Sequence, residues 1–463
     1  MENLNLKFLK DKKVHFVGIG GISMSSLALI LKAHKIFVQG SDEAKNAEVK
    51  KLKKRGVVVF ENHAENNLKD IDVVVYSSAI LDDNTELVYA RKNNLILIKR
   101  AELLAMIAEA YKTVISIAGS HGKTTASAMI SEMLLKTGLN PTFHIGGVLN
   151  YIHSNYRLGS KKIFVTESCE YKDNFLHLHP DVSVILNVDA DHLDYFGDLN
   201  GVVKSFEKFA NNTNAGGINV ICADDENSKT LFNKNNTLTF GLKNADVYAS
   251  SVKEYKPCYF SFNVYFAGLK LGNIKLNIIG KHNIYNALAC VLVGLALKID
   301  FADIKTSIES FSGVERRCQK ITEIKGVQIY HDYAHHPEQI KKMIDVAKDL
   351  VKKSKGRVIV VFEPHTYSRT KFLIDDFAKT LSEADMVFLA PVYAAREHPT
   401  AGFDSLKLAS ETKKLNKQTF YIEEFEEIKS SVLKLAKPKD VVFILGAGTI
   451  ERLAKMFLWK DVN

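Results

Sequence analysis

The chain has 463 residues, 46% of them hydrophobic, and its 62 Lys and Arg against 53 Asp and Glu give a net charge of +9. At about 150 residues per domain, this length predicts roughly three globular domains. The basic residues are mixed with acidic ones and form no face with regularly spaced aromatic residues, which argues against nucleic acid and favours small anionic ligands. The five cysteines form no CxxC pair, and no signal peptide or run of about 18 apolar residues is present, so we expect a cytoplasmic protein that does not span a membrane.

Between residues 13 and 110, short β-branched runs alternate with helical patterns, which is typical of a parallel sheet. Predicted strands at Val14–Val17, 36–38 and 73–76 end in polar or glycine-containing segments, where open parallel sheets bind their ligands. The loop after the first strand, Gly18 to Ser23, predicts backbone amides close to a diphosphate. An NAD-binding domain is the alternative, because Asp42 stands near the position of a ribose-binding acid, but Ser23 replaces the third glycine of that fingerprint.

A second nucleotide-binding unit begins near residue 112. The strand Thr113–Ile117 leads into a glycine loop and then into a helix, a context in which backbone N–H groups surround phosphate. Lys123 is expected to contact the β- and γ-phosphates and Thr124 to bind Mg²⁺. Ile117 stands where the full P-loop pattern has its first glycine, which weakens a GTPase or transport-ATPase interpretation. The predicted loop consists of Gly119, Ser120, His121, Gly122, Lys123, Thr124 and Thr125.

Two further strands of this unit end in candidate metal ligands. Glu167 follows the strand 163–166, and His192 follows the strand 182–186. Mg²⁺ takes one or two carboxylates besides phosphate oxygens and water. A lone glutamate or histidine at a strand end is usually a surface or structural residue, but a phosphate loop in the same domain favours a metal site.

Residues 245–280 alternate as shorter strands and predict an antiparallel annex. The helix that follows carries Asn283 and Asn286 one turn apart on one face, where their amides can bind a nucleotide. Helix capping by Asn283 is the structural alternative.

The last unit is again α/β, with strands at 327–330, 358–362, 386–389 and 441–445. The first two lead into loops rich in hydrogen-bonding side chains, His331–Pro337 and Phe362–Thr370. Upstream, Arg316 and Arg317 suit bidentate contact with phosphate or carboxylate. Zinc is an alternative for the paired histidines, but no third ligand stands at a suitable spacing.

The sequence therefore predicts an α/β protein of three domains. The first is Rossmann-like, the second has the parallel sheet of a P-loop ATPase with a small antiparallel annex, and the third is Rossmann-like again. The predicted bounds are 1–111 for the first domain, 112–325 for the nucleotide-binding second domain and 326–463 for the third domain.

Taken in order, the motifs resemble the Mur ligases of peptidoglycan synthesis from about residue 13 to 455. The ordered set is specific although its single members are not. It comprises His15–Met24, Gly40–Asp42, Ser77–Ile80, Arg100–Glu102, Gly119–Thr124, Ala190–His192, His282–Asn283 with Asn286, Arg316–Arg317, Asp332–Pro337, Pro364–Thr370 and Gly446–Gly448.

The resemblance implies an amide ligase of the alanine-adding branch with ATP and Mg²⁺ as cofactors, UDP-N-acetylmuramate and L-alanine as substrates, and a monomer or homodimer as its assembly. The domains 1–111, 112–325 and 326–463 would bind the UDP-sugar, ATP and the amino acid in turn. ATP would phosphorylate the lactyl carboxylate, and the amine of L-alanine would attack the acyl phosphate. A recycling ligase that adds a ready-made peptide to the same UDP-sugar is the alternative. No nucleic acid and no membrane is expected as a partner.

The resemblance also assigns roles to residues. Lys123, His192, His336 and Arg369 would be catalytic, with Thr124 and Glu167 on one Mg²⁺ and His192 on a second. ATP would contact the phosphate loop together with Asn283, Asn286, Arg317 and Asp332. The other substrates would be bound by Gly18, Gly20, Gly21, Ser41, Asp42, Ser77, Ser78, His335, His365 and Arg369.

Three departures from the family pattern bear on substrate binding. Ser23 and Ser26 replace glycines of the first loop, Thr366 stands where some members have arginine, and His331 stands where many have a second aspartate.

Overall fold

The computed structural model describes residues 5–232, 236–395, 397 and 404–458, apart from the side chain of Asp194. Its contacts separate into two compact units. The first runs to Val252 and includes Ser261–Asn277 and His282–Ser312, and the second holds Lys253–Phe260, Ile278–Lys281 and the residues from Gly313 onward. Among the described residues, no helix is both long and apolar enough to cross a membrane.

The first sheet is entirely parallel, with strands in the order β3-β2-β1-β4-β5. The chain adds β2 and β3 on one side of β1 and then crosses over to add β4 and β5 on the other side. The loop after β1 therefore lies at the topological switch point, where such sheets bind ligands. The sequence prediction passed from β2 directly to β4 and was wrong to omit β3, which has only three residues. The elements are β1 (Lys13–Val17), α1 (Ile22–Ala33), β2 (Phe37–Ser41), α2 (Ala47–Lys54), β3 (Val58–Phe60), β4 (Val73–Tyr76), α3 (Thr85–Lys92), β5 (Ile96–Lys99) and α4 (Arg100–Ala108).

The second sheet has ten strands and contains the predicted phosphate loop. Its strand order is β15-β14-β13-β12-β11-β10-β6-β9-β7-β8. The elements are β6 (Thr113–Ala118), α5 (Lys123–Lys136), β7 (Thr142–Leu149), β8 (Ser154–Arg157), β9 (Ile163–Glu167), β10 (Val182–Ile185), α6 (Leu193–Phe196), α7 (Leu199–Asn211), β11 (Ile218–Cys222), β12 (Thr237–Gly241), β13 (Val247–Lys256), β14 (Tyr259–Phe266), β15 (Leu269–Lys275), α8 (Asn283–Ala296) and α9 (Phe301–Glu309).

Strand β6 is central to this sheet and is parallel to both β9 and β10. Their carboxyl ends therefore meet at one edge, which brings together the phosphate loop, Glu167 and the segment after β10. Strands β14 and β15 are antiparallel, which confirms the predicted annex.

The third sheet has the order β16-β17-β21-β18-β19-β20, with β16 antiparallel to β17 and the rest parallel. Because β21 lies between β17 and β18, the loops after these three strands share one edge. The elements are β16 (Gln319–Ile324), β17 (Val327–Asp332), α10 (Pro337–Val351), β18 (Val358–Phe362), α11 (Tyr367–Phe372), α12 (Ile374–Leu381), β19 (Met386–Leu389), α13 (Ser405–Leu415), β20 (Thr419–Tyr421), α14 (Phe425–Leu435), β21 (Val441–Leu445) and α15 (Glu451–Met456).

Burial explains why these runs form sheets. Strands β18 and β21 are buried at every residue, as expected for parallel strands covered on both faces. The three-domain α/β architecture predicted from the sequence is confirmed, whereas the domain bounds at 111/112 and 325/326 stay a prediction.

Candidate functional site

The phosphate loop lies between β6 and α5, and two of its positions require glycine. Gly119 and Gly122 have φ angles of +139° and +84°, which residues with a side chain rarely adopt. A Cβ on Gly122 would also lie 2.9 Å from Asn286 Oδ1. Gly122 is the N-cap of α5 and supplies no side-chain cap. The first i→i−4 hydrogen bond of the helix runs from Ala126 N to Gly122 O, so the N–H groups of Lys123, Thr124 and Thr125 precede this pattern.

The segment after β10 holds the loop in place. Ser120 N donates to Asn187 O at 3.1 Å, and His121 N donates to Asn187 Oδ1 at 2.8 Å. Asp189 N donates to Ser120 Oγ at 2.8 Å, and the carboxylate of Asp189 lies 3.3 Å from His121 Nε2. The loop conformation is thus fixed by residues about 68 positions away in the chain.

Lys123 forms an ion pair inside the loop. Its Nζ lies 2.9 Å and 3.1 Å from the carboxylate oxygens of Glu170 and donates to Gly119 O at 2.5 Å. Burial alone would lower the pKa of Lys123, but the negative charges of Glu170 and Glu167 outweigh it and raise the pKa. The side chain is therefore a fixed cation at the position where the loop receives phosphate.

Glu167 lies at the end of β9 and faces the first turn of α5. Its carboxylate accepts from Thr124 Oγ1 at 2.9 Å and from Gly146 N at 2.8 Å. A hydroxyl and a carboxylate oxygen at this separation are hard ligands of the kind that Mg²⁺ takes. The structure thus brings Thr124 and Glu167 together as predicted.

A second group of ligands lies beside Lys123. Glu170, Asp191 and His192 each offer one ligand atom, and these atoms lie within 4.8 Å of one another. His192 has a left-handed backbone, with φ of +55°, and its ring lies 4.6 Å from the ring of Tyr171. The donor set of two carboxylates and an imidazole fits a divalent cation. His192 is therefore grouped with Glu170 and Asp191 rather than with Glu167.

The glycine loop after β1 is built around backbone contacts. Gly18 N and Ile19 N donate to Ser41 O at 2.9 Å and 3.0 Å. Gly20 N donates to Asp42 Oδ2 at 2.8 Å. Gly18 has φ of +77°, and a Cβ on Gly20 would lie 2.7 Å from Val49 Cγ2, so both positions need glycine. Asp42, predicted to bind substrate, thus also shapes this loop.

The predicted substrate residues near this loop differ in accessibility. Ser78 is exposed, Ser77 is partly buried and Gly21 is exposed, whereas Ser41 is fully buried. Ser41 Oγ lies 2.5 Å from Glu86 Oε2 and 2.9 Å from His63 Nδ1. The Ser41 side chain therefore belongs to the interior, and its backbone oxygen is the part that contacts the glycine loop.

Glu86 is the centre of that interior network. It accepts from Asn67 Nδ2 at 2.7 Å, and its carboxylate lies 3.0 Å from His63 Nδ1 and 3.3 Å from His15 Nε2. Burial opposes ionisation of Glu86, but the close approach of His15 and the hydrogen bonds with His63 and Ser41 lower its pKa. The glycine loop and β2 are thus supported by a buried carboxylate that the sequence analysis missed.

The two serines that replace glycines connect the first sheet to the second. Ser23 Oγ lies 3.0 Å from His144 Nε2 on β7. Ser26 Oγ lies 2.8 Å from Asn155 Nδ2 on β8. Both contacts fall within the first compact unit, so the departures at Ser23 and Ser26 are matched by partners elsewhere in the chain.

The asparagines of α8 lie beside the phosphate loop. Both are buried, and Asn286 Nδ2 donates to Asn283 Oδ1 at 2.8 Å. The N-cap of α8 is His282, so the alternative that Asn283 caps this helix does not hold. The proximity of Asn286 to Gly122 places this pair on the loop side of α8.

In the second compact unit, the predicted amine-site residues cluster after β17 and β18. The ring centroids of His335 and His365 lie 5.7 Å apart, and Arg369 Nη1 lies 3.5 Å from His365 Nδ1. Burial lowers the pKa of His335 to about 4 and also lowers the pKa of His365, with Arg369 adding to both shifts. Both imidazoles are therefore neutral near pH 7. His336 is the N-cap of α10 and adjoins this cluster.

The residues predicted to bind the nucleotide in this unit surround Tyr333. Arg316 and Arg317 lie 4.7 Å and 5.6 Å from the centroid of its ring. Asp332 is buried and accepts from Cys318 N and Ala334 N at 2.7 Å each. Burial raises the pKa of Asp332, with Arg317 opposing the shift. Much of the acceptor capacity of Asp332 is thus used to hold its own loop.

Thr366 lies in the adjoining loop with φ of +66°, a backbone region that a β-branched residue rarely adopts. Its N–H donates to Tyr393 O at 2.9 Å, and its carbonyl accepts from Thr370 Oγ1 at 2.6 Å. These hydrogen bonds hold the backbone that carries Arg369.

His331, the other departure, is buried at the end of β17. Its Nε2 has no hydrogen-bond partner among the described residues. Burial first, and the charge of Arg316 second, lower the pKa of His331 to about 3 from an ordinary 6.5. In the folded protein, the His331 side chain is therefore a neutral imidazole near pH 7.

This burial predicts a pH-dependent stability. Below about pH 6.5 the unfolded chain binds a proton that folded His331 does not, so the free energy of unfolding should fall with pH, by up to about 1.4 kcal/mol per pH unit. We expect His331→Leu to flatten this dependence between pH 7.5 and 5, as measured by urea unfolding. His177→Leu, at an exposed histidine, is the control. Parallel curves for wild type and His331→Leu would contradict the prediction.

Three family descriptions match successive parts of the chain. "Mur ligase family, catalytic domain" matches residues 13–112, "Mur ligase middle domain" matches residues 117–294, and "Mur ligase, glutamate ligase domain" matches residues 316–448. The chain belongs to the Mur ligase family.

Relatives of similar length support this membership. The UDP-N-acetylmuramate--L-alanine ligase of Clostridium acetobutylicum is 40% identical over 99% of this chain and 100% of that protein. The protein of the same name from Caldicellulosiruptor saccharolyticus is 42% identical over 97% of this chain and 99% of its own length.

Solved structures are also similar to this chain over most of its length. The crystal structure of a UDP-N-acetylmuramate-alanine ligase from Thermotoga maritima matches with a TM-score of 0.81 and 28% identity, covering 96% of this chain and 98% of that one. A murein peptide ligase from Psychrobacter arcticus has a TM-score of 0.71 over 96% of this chain and 98% of its own, but at 22% identity this likeness shows the fold alone.

Several residues of this Mur ligase site were missed by the sequence analysis. Glu170 and Asp191 complete the second ligand group, and Asn187 and Asp189 fix the phosphate loop. Glu363, after β18, accepts from Thr449 Oγ1 at 2.5 Å and from Ile450 N at 3.0 Å and so anchors the Gly446–Gly448 segment. The Asp189–His192 run already stood out as polar residues at a strand end, whereas Glu363 gave no separate signal.

Proposed function

We propose that this chain joins L-alanine to the lactyl carboxylate of UDP-N-acetylmuramate with ATP, through an acyl phosphate, in peptidoglycan precursor synthesis. Full-length identity of about 40% to proteins named UDP-N-acetylmuramate--L-alanine ligase supports the reaction. The observation that carries it is the phosphate loop with Lys123 and Thr124 beside Glu167, because this is the arrangement that an ATP-dependent carboxylate activation needs. ATP and the UDP-sugar are intracellular nucleotides, so the proposed location is the cytoplasm.

Two divalent cation sites belong to this proposal. Thr124 and Glu167 would hold one Mg²⁺, and His192 with Glu170 and Asp191 would hold a second, since both donor sets fit a divalent cation. Bound Mg²⁺ supplies charge neutralisation to the phosphate oxygens and the incoming carboxylate.

The remaining groups of the loop hold the phosphates. The N–H groups at the start of α5 and the Lys123 ammonium donate to phosphate oxygens, and they are fixed before ATP arrives by Asn187 and Glu170. Preorganised donors need no rearrangement as charge develops. Asn283, Asn286, Arg317 and Asp332 are proposed to contact the rest of ATP.

His335, His336, His365 and Arg369 are proposed to serve the amine and the acyl phosphate. His335 and His365 are neutral imidazoles, so each can accept a hydrogen bond from the incoming amine without repelling it as a cation would. Arg369 supplies a cation to the acyl phosphate oxygens. Gly18, Gly20, Gly21, Asp42, Ser77 and Ser78 are proposed to bind the UDP-sugar.

The reaction is tested by phosphate release with ATP, Mg²⁺ and UDP-N-acetylmuramate. We expect release that depends on the amine and is fastest with L-alanine, when L-alanine, L-serine, glycine and the tripeptide are compared. Faster release with the tripeptide would assign the chain to the peptide-recycling ligases instead. Release that ignores the amine would overturn amide ligation.

A further inference from the structure

Among the described residues, no carboxylate forms a direct ion pair with the guanidinium of Arg100. Arg100 is the first residue of α4, and its guanidinium is largely removed from solvent, so that burial lowers its pKa. Within the described chain, its one hydrogen bond runs from Nη1 to Ser23 Oγ, at a long 3.4 Å. Five N–H donors with a single weak acceptor leave most of the guanidinium free to bind an anion.

The acidic groups near Arg100 are already used elsewhere. Glu102, in the same helical turn, turns back and accepts from Lys99 N at 2.7 Å. Glu167 lies close enough for its charge to act on Arg100, but its carboxylate is bound to Thr124 Oγ1 and Gly146 N. The negative charge of Glu167 therefore acts on Arg100 from a distance, without a direct ion pair.

The other neighbours carry no negative charge. Burial, together with the charge of Arg100, lowers the pKa of His144 to about 3, so the imidazole beside Ser23 is neutral. The side chains of Ser23 and His144 beside Arg100 are thus polar but uncharged.

The position of Arg100 says which part of a ligand it meets. Through Ser23 it adjoins the glycine loop of the first sheet. Through His144, 3.0 Å from Ser23 Oγ, it adjoins β7, where Gly146 N donates to Glu167 on the metal-ligand side of the second sheet. In the proposed reaction, one anionic group must lie between those two places, because the carboxylate of the sugar nucleotide has to reach the transferred phosphoryl group.

We propose that Arg100 binds the carboxylate of the sugar-nucleotide substrate and orients it toward the phosphate loop. A guanidinium can donate two parallel hydrogen bonds to a carboxylate, which fixes the direction of the oxygen that attacks phosphorus. Ser23 Oγ holds the guanidinium by its Nη1, and His144 holds Ser23. This inference rests on the proposed function.

The test compares two ligands that differ in the carboxylate. UDP-N-acetylmuramate carries the lactyl carboxylate, and UDP-N-acetylglucosamine has the same uridine diphosphate without it. We expect Arg100→Gln to weaken binding of the first by about 10- to 100-fold, as for a lost charge-assisted pair, and of the second by less than about 3-fold, in calorimetric titrations. Arg100→Lys should recover part of the affinity, since it keeps the charge without the bidentate geometry.

Arg91→Gln is the matched control, because Arg91 is a more exposed arginine of the same sheet region that pairs with Asp82. It should bind both ligands as the wild type does. If Arg100→Gln weakens both ligands equally, Arg100 binds the diphosphate and the inference is wrong. If it weakens neither, with an unchanged melting temperature, Arg100 has no role in binding. Wild-type protein that releases no phosphate with L-alanine would instead overturn the proposed function, which separates the two failures.

Discussion

Lys123→Ala should lower ligase turnover by at least about 10²- to 10³-fold, the effect of losing one preorganised donor to a developing charge. The ammonium is held at the loop by Glu170 and by Gly119 O, in the position where phosphate enters. Binding of UDP-N-acetylmuramate should be retained, since the proposed sugar-nucleotide residues lie after β1, β2 and β4. Phosphate release and calorimetric titration of the UDP-sugar measure the two effects separately.

The variant needs controls, because Glu170 loses its partner. A buried carboxylate without its cation is destabilising, so the melting temperature of Lys123→Ala should fall, and the double variant Lys123→Ala with Glu170→Gln should recover it. Lys229→Ala, at an exposed lysine paired with Glu226, should change neither turnover nor stability. Equal loss of UDP-sugar binding in Lys123→Ala would show that the two sites are not separate.

Much of the fold could be predicted because its signals are local. A parallel strand covered on both faces needs a continuous run of apolar residues, and Val73–Tyr76 or Val441–Leu445 provide such runs. Strand β3 was missed because three residues carry too little pattern and its pairing with β2 is set by tertiary contact. Strand β20, also of three residues, was missed as well. The prediction also named no strand at β5, β7, β8, β11, β12 or β16, which have four to eight residues, so short length does not explain every omission.

In the candidate site, too, the residues with a local sequence signal could be predicted and those placed by long-range contacts could not. The phosphate loop was predictable since strand, glycines and helix follow one another directly in the sequence. Glu170 was not, because its contact with Lys123 joins residues 47 positions apart, and because Glu170 is followed by an irregular segment in which Lys172 and Asp173 have positive φ. Contacts of this kind depend on how strands are ordered in the sheet.

Ser41 shows that a position in a family motif need not contact the substrate with its side chain. Its position at the end of β2 suggested contact with substrate, yet its side chain is buried against Glu86 and His63. Alternation along a strand sends successive side chains to opposite faces, and which face carries the network depends on α3, which supplies Glu86. A motif position can thus support a ligand site from within.

Glu170→Gln should weaken the binding of Mg²⁺ at the second ligand group. The change removes one charged oxygen from the set formed with Asp191 and His192, and it also removes the ion pair with Lys123. Since Mg²⁺ prefers charged oxygen ligands, we expect the concentration of Mg²⁺ that gives half-maximal phosphate release to rise by about 10-fold or more.

Asp191→Asn distinguishes the two roles of Glu170. It leaves the ion pair between Lys123 and Glu170 intact, so it should shift the Mg²⁺ dependence in the same direction while the melting temperature without metal stays near that of the wild type. Glu226→Gln, at an exposed glutamate, should leave the Mg²⁺ titration unchanged. If Glu170→Gln lowers the maximal rate without moving the Mg²⁺ midpoint, and Asp191→Asn has no effect, then Glu170 acts only by positioning Lys123 and the second cation site is absent.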